Sequence, residues 1–356
     1  MVVYAIQIIF IVILDFLTRG NKRYSKIYHF CVFISMVLIA GLRNPEMGLN
    51  DFANGYIYGW RIACNSSWTE LFGYMDNSKS ALKDPGFAVI CKLLSLISTD
   101  EFFFQFVINI PYFAVLCWFV RKHSCNYALS YIVVIALQYF TLTYYLLRPM
   151  CAIMFIVLAI DSIIENRNKR GIIYTLSAAT VHSSAIVFII FFVVKRLKNI
   201  KRYPIYAVCV LAVSLFGRNI VMFILQNILG SSRFVYYLNA NMTEGLSRYF
   251  IALLFLVIEW FIFLRLKDVD DADKTMLNMS MLGTAFLAFT PIIADFWRIA
   301  WYFEVVNCVL YPRALKRLAG QDRAIVIVSS YTVFLLYTFL FLLPGTNALP
   351  YYTYFS

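Results

Sequence analysis

Long apolar segments separated by short polar ones dominate this chain, and the spacing predicts a bundle of membrane-spanning helices. Most of the apolar runs approach the ~20 residues that a helix needs to cross the hydrocarbon core of a bilayer. The predicted full spans are 1–17, 27–42, 101–120, 126–146, 149–164, 204–226, 246–266, 275–293, 299–312 and 324–343. The pattern therefore predicts an all-α, polytopic membrane protein with ten full spans.

One apolar tract, residues 126–164, is too long for a single crossing. As one helix it would extend almost ~60 Å, about twice the hydrocarbon thickness. Pro149 suits the first turn of a helix and disfavours helical geometry in the residue before it, so we expect a break at 141–148. Arg148 then lies at a helix start, where free amides and the positive end of the helix dipole attract anions.

Two segments depart from the simple alternation. Residues 171–194 could form one span, but the basic cluster at 195–202 would then lie outside; two half-helices that turn near His182 would form a re-entrant hairpin and keep it inside. The longest hydrophilic stretch falls in an extracytoplasmic loop, 43–98, that ends in a predicted interfacial helix. The chain as a whole, 1–356, is predicted to be a single transmembrane domain.

Composition agrees with this architecture. Hydrophobic residues make up 62% of the chain and charged residues 14%, which is typical of a multi-span membrane protein and excludes an ordinary soluble domain. The net charge of +12 is spread as short clusters between apolar runs, the pattern of cytoplasmic loops, so it does not indicate nucleic acid. The first cluster, 19–26, places the N-terminus outside, and the alternation of spans places both termini outside.

The basic residues left on the outer side are mostly arginines. A guanidinium can grip phosphate oxygens with two parallel hydrogen bonds, which favours arginine over lysine for a diphosphate. The candidates at turns and span ends are Arg43, Arg148, Arg233 and Arg298. Three other arginines fit better as interfacial anchors: Arg61, Arg218 and Arg248.

A few acids and one histidine complete the candidate chemistry. His182 can relay a proton near neutral pH, although a histidine in apolar surroundings is more often a hydrogen-bonded core residue. Asp51, in the long outer loop, could bind sugar hydroxyls, act as a base or cap a turn. Asp295 lies three residues before Arg298, a spacing that also permits a local ion pair. Glu304 is an intramembrane acid and needs a partner or a water-filled cavity.

These landmarks together resemble the EpsG/Wzy-like family of bacterial polysaccharide polymerases. The segments that carry the resemblance, in chain order, are Gly41-Leu42-Arg43, Gly48-x-x-Asp51, Tyr56, Asp84-Pro85-Gly86-Phe87, Leu147-Arg148, His182-Ser183-Ser184-Ala185, Ser232-Arg233 with Tyr236-Tyr237, and Arg298 before Leu310-Tyr311-Pro312. Two departures are visible. The family often has Arg-Gln where this chain has Arg148-Pro149, and Glu-Pro-Gly where this chain has Asp84-Pro85-Gly86.

The resemblance implies a GT-C-like glycosyltransferase at the outer face of the bacterial cytoplasmic membrane. A glycan on undecaprenyl diphosphate would be transferred to the non-reducing-end hydroxyl of another lipid-linked repeat unit, and undecaprenyl diphosphate would leave. The implied partners are this lipid-linked oligosaccharide, the bilayer, and a possible chain-length regulator and flippase. No cofactor is expected, and the absence of a clustered Asp/Glu/His set favours metal-independent chemistry.

The roles follow from the leaving group and the nucleophile. Arg148, Arg298 and Arg233, with Arg43 as a further candidate, are expected to hold the diphosphate, because its growing negative charge needs preorganised cations. His182 and then Asp51 are the candidate acceptors of the hydroxyl proton. The other site candidates are Asp295, Glu304, Tyr56 and Asp84.

Two other functions fit the same outer arginines. A flippase or transporter of the lipid-linked glycan would also need external cations, but it should show a polar path to the inner face. A polymer ligase, or a glycosyltransferase that uses a polyprenyl-phosphate sugar, would share the chemistry and differ in substrate.

Overall fold

The protein is seen in a computed structural model that describes residues 1–18, 22–48, 52–74, 81–194, 203–216, 270–290, 296–317 and 320–355, with residues 257, 259 and 293. The structure is 81% helical. Within the described ranges no β-strand forms, and the one extended pairing is an isolated bridge between Arg43 and Thr353. The predicted all-α class is confirmed.

The helices follow the predicted apolar runs closely at the start of the chain. In the first half they are α1 (Val2–Thr18), α2 (Lys22–Gly41), α3 (Tyr58–Asn65), α4 (Trp68–Gly73), α5 (Pro85–Ser95), α6 (Glu101–Val107), α7 (Asn109–His123), α8 (Tyr127–Ala136), α9 (Leu142–Tyr145) and α10 (Leu147–Ile164). The later ones are α11 (Asn168–Val181), α12 (Ile190–Val194), α13 (Tyr203–Phe216), α14 (Asp271–Ala288), α15 (Phe296–Glu304), α16 (Asn307–Lys316) and α17 (Gly320–Tyr337). A π-helix, Phe52–Ile57, precedes α3, and a 3₁₀-helix, Ser183–Ile189, precedes α12.

Several described helices have the length and hydropathy of membrane spans. The four continuous helical segments that suffice by length and composition are Tyr24–Gly41 within α2, Glu101–His123 across α6 and α7, Leu147–Ile164, which is α10, and Ala324–Gly345, in which α17 continues through a π-helix, Thr338–Leu342. Helix α1 is slightly shorter, and it exposes Ile9, Ile13 and Phe16 while burying Tyr4 and Ile8. Such an apolar outer face is stable against lipid and costly in water. The chain is therefore a membrane protein, while the number of ten spans stays a prediction.

The predicted helix 126–146 is shorter than expected. Helix α8 ends at Ala136, and the chain then unwinds through Gln138, whose φ of 71° lies in the left-handed region. Backbone carbonyls freed by this break need new donors in a membrane. Tyr112 Oη donates to the carbonyl of Tyr139 at 2.7 Å, and Arg43 Nη2 donates to the carbonyl of Thr143 at 2.8 Å. These long-range contacts make the early break possible.

The second helix of this tract starts where Pro149 allows it. Helix α10 begins at Leu147, so Arg148 and Pro149 both lie in its first turn. Proline is tolerated there because its missing N–H would have no partner within the helix. The predicted placement of Arg148 at a helix start is confirmed.

The predicted segment 171–194 is divided at His182. Helix α11 ends at Val181, His182 is extended with φ −148° and ψ 112°, and a 3₁₀-helix follows from Ser183. The predicted break at this position is confirmed. That the two halves form a re-entrant hairpin in the membrane stays a prediction.

Contacts divide the chain into two compact units. The first contains Met1–Ile163, Arg167–Ile186 and Tyr311–Ser356, and the second contains Ile164–Asn166 and Val187–Leu310. In the first unit α2 packs on α6 and α7, and α5 packs on α3 and α11. In the second unit α14 packs closely on α15.

Lys92 ties α3 to α5 within the first unit. Its Nζ donates to the carbonyls of Ala63 and Ser66 at 2.9 and 2.6 Å, at the C-terminal end of α3. A cation suits this end, because the last carbonyls of a helix have no partner inside it and carry the negative end of its dipole. Lys92 therefore belongs to the packing of α3 on α5, and the predicted interfacial helix 86–98 is a regular helix over Pro85–Ser95.

The C-terminal segment of the first unit forms hydrogen bonds with α1 and with the residues that directly follow α2. The N–H of Tyr354 donates to the carbonyl of Leu42 at 2.7 Å, and the N–H of Asn44 donates to the carbonyl of Tyr352 at 3.0 Å. Tyr4 Oη, in the first helix, donates to the carbonyl of Ala348 at 3.0 Å. These bonds hold the chain directly after α2 in place.

Candidate functional site

Three segments of the first unit meet at the carboxylate of Asp84. Arg148 Nη1, in the first turn of α10, donates to Asp84 Oδ2 at 3.0 Å. The Ser183 N–H donates to Asp84 Oδ1 at 3.2 Å, and His182 Nδ1 lies 3.4 Å from Asp84 Oδ2. The side chains of Asp84, His182 and Arg148 are 5%, 13% and 16% exposed. The three form one partly buried cluster, which we call the Asp84 cluster.

The start of α5 explains how Asp84 reaches its partners. Asp84 occupies the N-cap position and Pro85 the first turn, as the sequence leads one to expect. Its side chain nevertheless makes no capping hydrogen bond to its own helix. The carboxylate turns instead toward α10 and the break after α11.

Gly86 lets α5 and α11 approach closely enough for this contact. A Cβ atom at Gly86 would lie 2.5 Å from Thr180 Oγ1, 2.8 Å from the Thr180 carbonyl carbon and 2.9 Å from its oxygen. Two of these three atoms belong to the backbone, so no side-chain rotation would relieve the clash. Only glycine fits, and the residues beside the crossing are Asp84 and His182.

The charge of Asp84 is stabilised by its neighbours. Burial opposes ionisation, but the hydrogen bond and charge of His182, the charge of Arg148 and the Ser183 N–H hold the pKa of Asp84 below its ordinary value. A carboxyl with a lowered folded-state pKa stabilises the fold above its unfolded pKa of about 3.9 and loses that contribution as the pH falls through the folded value. The contribution of Asp84 is therefore complete at neutral pH.

Asp84 uses only part of the hydrogen-bonding capacity of the Arg148 guanidinium. Nη1 bonds to Asp84, whereas Nε is buried and makes no hydrogen bond to any residue that the structure describes. Nε and Nη2 form the edge of the guanidinium that can bind a carboxylate or phosphate with two parallel hydrogen bonds. We call it the open edge, because Asp84 does not bind it. The backbone N–H of Arg148 points at the hydroxyl of Tyr56, with 3.5 Å between the Arg148 nitrogen and Tyr56 Oη. The arrangement can bind an anion at the start of α10.

Tyr56 lies beside this cluster as a mostly buried aromatic residue. Its ring packs edge to face on Phe87, with centroids 5.7 Å apart. This ring contact joins the π-helix before α3 to the first turn of α5, and the Tyr56 hydroxyl joins it to the first turn of α10. Of the site candidates in the sequence, the structure thus brings Tyr56, Asp84, Arg148 and His182 together.

Arg43 lies deeper in the same unit and is fully buried. Its guanidinium is held between the rings of Phe52 and Tyr144, at 4.4 and 4.8 Å from their centroids, and donates to the carbonyls of Ala40 and Thr143. Burial lowers the pKa of Arg43 to about 10, so the group stays charged at neutral pH. These contacts give Arg43 a structural task, and its predicted role in binding diphosphate stays a prediction.

We expect Arg43→Met to unfold at a clearly lower temperature, because it leaves two buried carbonyls without their donor, at a cost of about 2–4 kcal/mol. Thermal unfolding of the purified protein in detergent measures this. Arg61→Met is the matched control, since Arg61 is largely exposed and forms its ion pair with Glu101 at the surface. An Arg43→Met protein as stable as the wild type but weaker in binding the lipid-linked substrate would reverse the interpretation and favour direct contact with the diphosphate.

The second unit contains two further candidates, Arg298 and Glu304. The guanidinium of Arg298 lies 5.3 Å from the ring centroid of Trp297, in the first turn of α15. Glu304 is buried at the end of the same helix, and its Oε1 makes no hydrogen bond within the described part of the chain. A Cβ at Gly283 of α14 would lie 2.4 Å from Glu304 Cγ, so the glutamate stem passes directly over this glycine.

The sequence predicted that Glu304 needs a partner or a water-filled cavity, and a second buried acid, Glu259, lies against the same face of α14. Glu259 accepts hydrogen bonds from the hydroxyls of Ser280 and Thr284, the latter at 2.9 Å. Asp51, Arg233 and Asp295 lie outside the described residues. The roles predicted for these three, for Arg298 and for Glu304 stay predictions.

The described residues contain no group of three or more His, Cys, Asp or Glu side chains that could hold a metal ion. The Asp84 cluster itself pairs one carboxylate with two nitrogen side chains, one of them an arginine, which does not coordinate metals. The cluster is suited to holding an anion and moving a proton.

The model of the EpsG family matches residues 26–356 of the chain. The chain belongs to the EpsG family. The matched region contains every residue of the Asp84 cluster, together with Arg43, Arg298 and Glu304. Membership in the EpsG family and the apolar helices together support a membrane protein of polysaccharide biosynthesis. No curated protein and no solved structure matches the chain.

The resemblance to the EpsG/Wzy-like polymerases is therefore confirmed at the level of the family. The central position of Asp84 in this EpsG-family chain was not predicted, because an aspartate before Pro85 reads as an ordinary helix cap. The contribution of the Ser183 amide was also missed. A helix break at His182 was the available signal, since a break frees backbone N–H groups for other acceptors.

Proposed function

We propose that the protein polymerises a lipid-linked glycan at the outer face of the bacterial cytoplasmic membrane. The growing chain on undecaprenyl diphosphate is the donor, and the non-reducing-end hydroxyl of another lipid-linked repeat unit is the acceptor. The observation that carries this proposal is the Asp84 cluster, in which an arginine with an open edge for phosphate lies beside a histidine. Membership in the EpsG family supports the same substrate class.

The leaving group sets the first requirement. As the bond between the anomeric carbon and the phosphate oxygen breaks, negative charge builds up on the diphosphate. The open edge of Arg148, in the first turn of α10, stabilises that charge in a partly buried place where electrostatic interactions are strong. A diphosphate is already a good leaving group, so no strong acid is required.

The nucleophile sets the second requirement. The acceptor hydroxyl must lose its proton as its oxygen bonds to the anomeric carbon, and His182 takes that proton in this proposal. Afterwards the products are the lengthened lipid-linked glycan and free undecaprenyl diphosphate. The glycan is transferred as a block, so each turnover lengthens it at the lipid-proximal end.

The test is reconstitution of the purified protein in liposomes with a defined undecaprenyl-diphosphate repeat unit. We expect a ladder of products spaced by one repeat unit, with one undecaprenyl diphosphate released for each bond formed. The same repeat unit on undecaprenyl monophosphate is the matched control, because its leaving group offers only one phosphate to Arg148, and it should extend far more slowly.

Other outcomes would assign the protein to one of the alternative functions. Movement of the labelled lipid across the bilayer without any change in glycan length would identify a flippase and contradict the proposal. Preferred use of the monophosphate donor would identify a polyprenyl-phosphate-sugar-dependent transferase. Transfer of a finished chain to an unrelated acceptor, with no ladder, would identify a ligase.

A further inference from the structure

Asp84 differs from an ordinary helix-capping aspartate in what its carboxylate does. A capping side chain that binds its own helix contributes about 1 kcal/mol to stability, and Asp100 does this at the start of α6, where it accepts the Phe103 N–H at 2.7 Å. Asp84 forgoes such a bond and uses both oxygens on other segments. The contacts of Asp84 therefore indicate that its carboxylate orients neighbouring segments and does not stabilise α5 by capping it.

The first partner is the imidazole of His182. A carboxylate beside Nδ1 favours the tautomer that carries a hydrogen on Nδ1, because a carboxylate can only accept. Nε2 is then the basic nitrogen of the ring. The Ser183 N–H binds the other oxygen of Asp84, so the carboxylate is fixed against the backbone that carries the histidine.

The second partner is Arg148. By accepting from Nη1 alone, Asp84 holds the guanidinium in one orientation and leaves the edge formed by Nε and Nη2 open. One carboxylate thus orients the candidate base and the candidate diphosphate ligand together. The charged groups that face Asp84 within the described part of the chain are these two side chains, on α10 and at the end of α11.

We propose that Asp84 is a positioning residue that couples the two halves of the transfer. It fixes His182 with Nε2 as the base for the acceptor hydroxyl, stabilises the imidazolium that forms, and turns the open edge of Arg148 toward the diphosphate. As the acceptor oxygen bonds to the anomeric carbon, its proton passes to His182 Nε2, and the electron pair of the broken bond leaves with the diphosphate. This inference rests on the proposed polymerase function.

Asp84→Asn is the informative variant, because it keeps the shape and removes the charge. Its amide can donate to His182 Nδ1 and so favours the opposite tautomer, with the hydrogen on Nε2. We expect kcat for ladder formation to fall by about 10²-fold or more, with a smaller change in KM for the lipid-linked repeat unit. Asp84→Glu restores the carboxylate and should recover part of the activity.

The dependence of kcat/KM on pH distinguishes a positioning role of Asp84 from a purely structural one. A neighbouring carboxylate favours the charged imidazolium and so raises the pKa of a histidine; its removal lowers that pKa. The acidic limb of kcat/KM, where the base must lose its proton to act, should therefore move to lower pH in Asp84→Asn. Asp100→Asn is the matched control: its side chain can still cap α6, and both its activity and its pH profile should stay at wild-type values.

The outcomes are distinguishable from those of the proposed function. If wild-type protein makes no ladder, the function itself is wrong. If the wild type makes a ladder and Asp84→Asn retains its kcat and its acidic limb, the function stands and the positioning role is wrong. A variant that loses activity with an unshifted limb, and is not rescued by Asp84→Glu, also overturns the positioning role.

Discussion

Arg148→Ala should almost stop chain growth. Loss of one preorganised group that stabilises developing negative charge costs about 10²–10³ in turnover, and Arg148 is the cation with an open edge in the Asp84 cluster. The measurement is the rate of ladder formation in liposomes at saturating lipid-linked repeat unit. Binding of the donor should also weaken, because in the proposed function the same edge contacts the ground-state diphosphate.

Arg148→Lys sharpens this test. It keeps the positive charge beside Asp84 but offers a single ammonium in place of the planar guanidinium, so it cannot make two parallel bonds to phosphate oxygens. We expect a stable protein that polymerises at least about tenfold more slowly than the wild type. Arg61→Ala, which removes an exposed arginine paired with Glu101, is the control and should leave the rate unchanged. Wild-type polymerisation by Arg148→Ala would rule out the Asp84 cluster as the diphosphate site.

Gly86→Ala should produce the second large effect without touching any charged group. The new methyl would meet the Thr180 backbone at 2.8 and 2.9 Å, so α5 and α11 must separate. Asp84 precedes one of these helices and His182 follows the other, and a displacement near 1 Å in such a site can lower the rate by about 10²-fold. Initial rates of ladder formation, compared with thermal unfolding, separate this effect from loss of the fold.

The control for Gly86 is Gly73→Ala, at the end of α4. A Cβ there lies more than 4 Å from every atom of the described residues that it could meet, so activity and stability should match the wild type. Thr180→Ala combined with Gly86→Ala is a second check. It removes the Oγ1 contact but keeps both backbone contacts, so it should restore little activity. Full recovery in the double variant would show that the two helices need not approach so closely.

The sequence predicted the architecture best where a residue type has a strong local preference. Proline is favoured in the first turn of a helix, and α10 begins two residues before Pro149. His182 was placed at a break by the charge that follows residue 194, and α11 ends beside it. Both predictions rest on local rules that hold in any bundle.

Tertiary contacts decided what the sequence could not. Leu137 to Thr141 contain neither glycine nor proline, yet α8 ends before them, because Tyr112 and Arg43 supply hydrogen bonds from other helices. Arg43 has the sequence context of an outer loop, but it is fully enclosed by Phe52 and Tyr144. Local patterns carry no information on hydrogen-bond partners that lie 27 or 100 residues away along the chain.

The candidate site shows the same division. Arg148 and His182 could be selected by type and position, and the structure brings both to Asp84. The bridging role of Asp84 was not visible, since Asp before Pro normally caps a helix. Asp84 was a site candidate only through the family resemblance, which did not reveal the partners of its carboxylate.

The bond between Tyr4 and Ala348 has a consequence for biosynthesis. Its two ends are 344 residues apart, and at about 5–20 residues per second the ribosome needs on the order of tens of seconds to make the intervening chain. During that interval α1 is in the bilayer without the segment that later binds its tyrosine, and Arg43 lacks the backbone pairing that Tyr352 and Tyr354 provide. The first helices must therefore survive as a partly assembled bundle, and the contacts around Arg43 are complete only once residues 348–354 have been made.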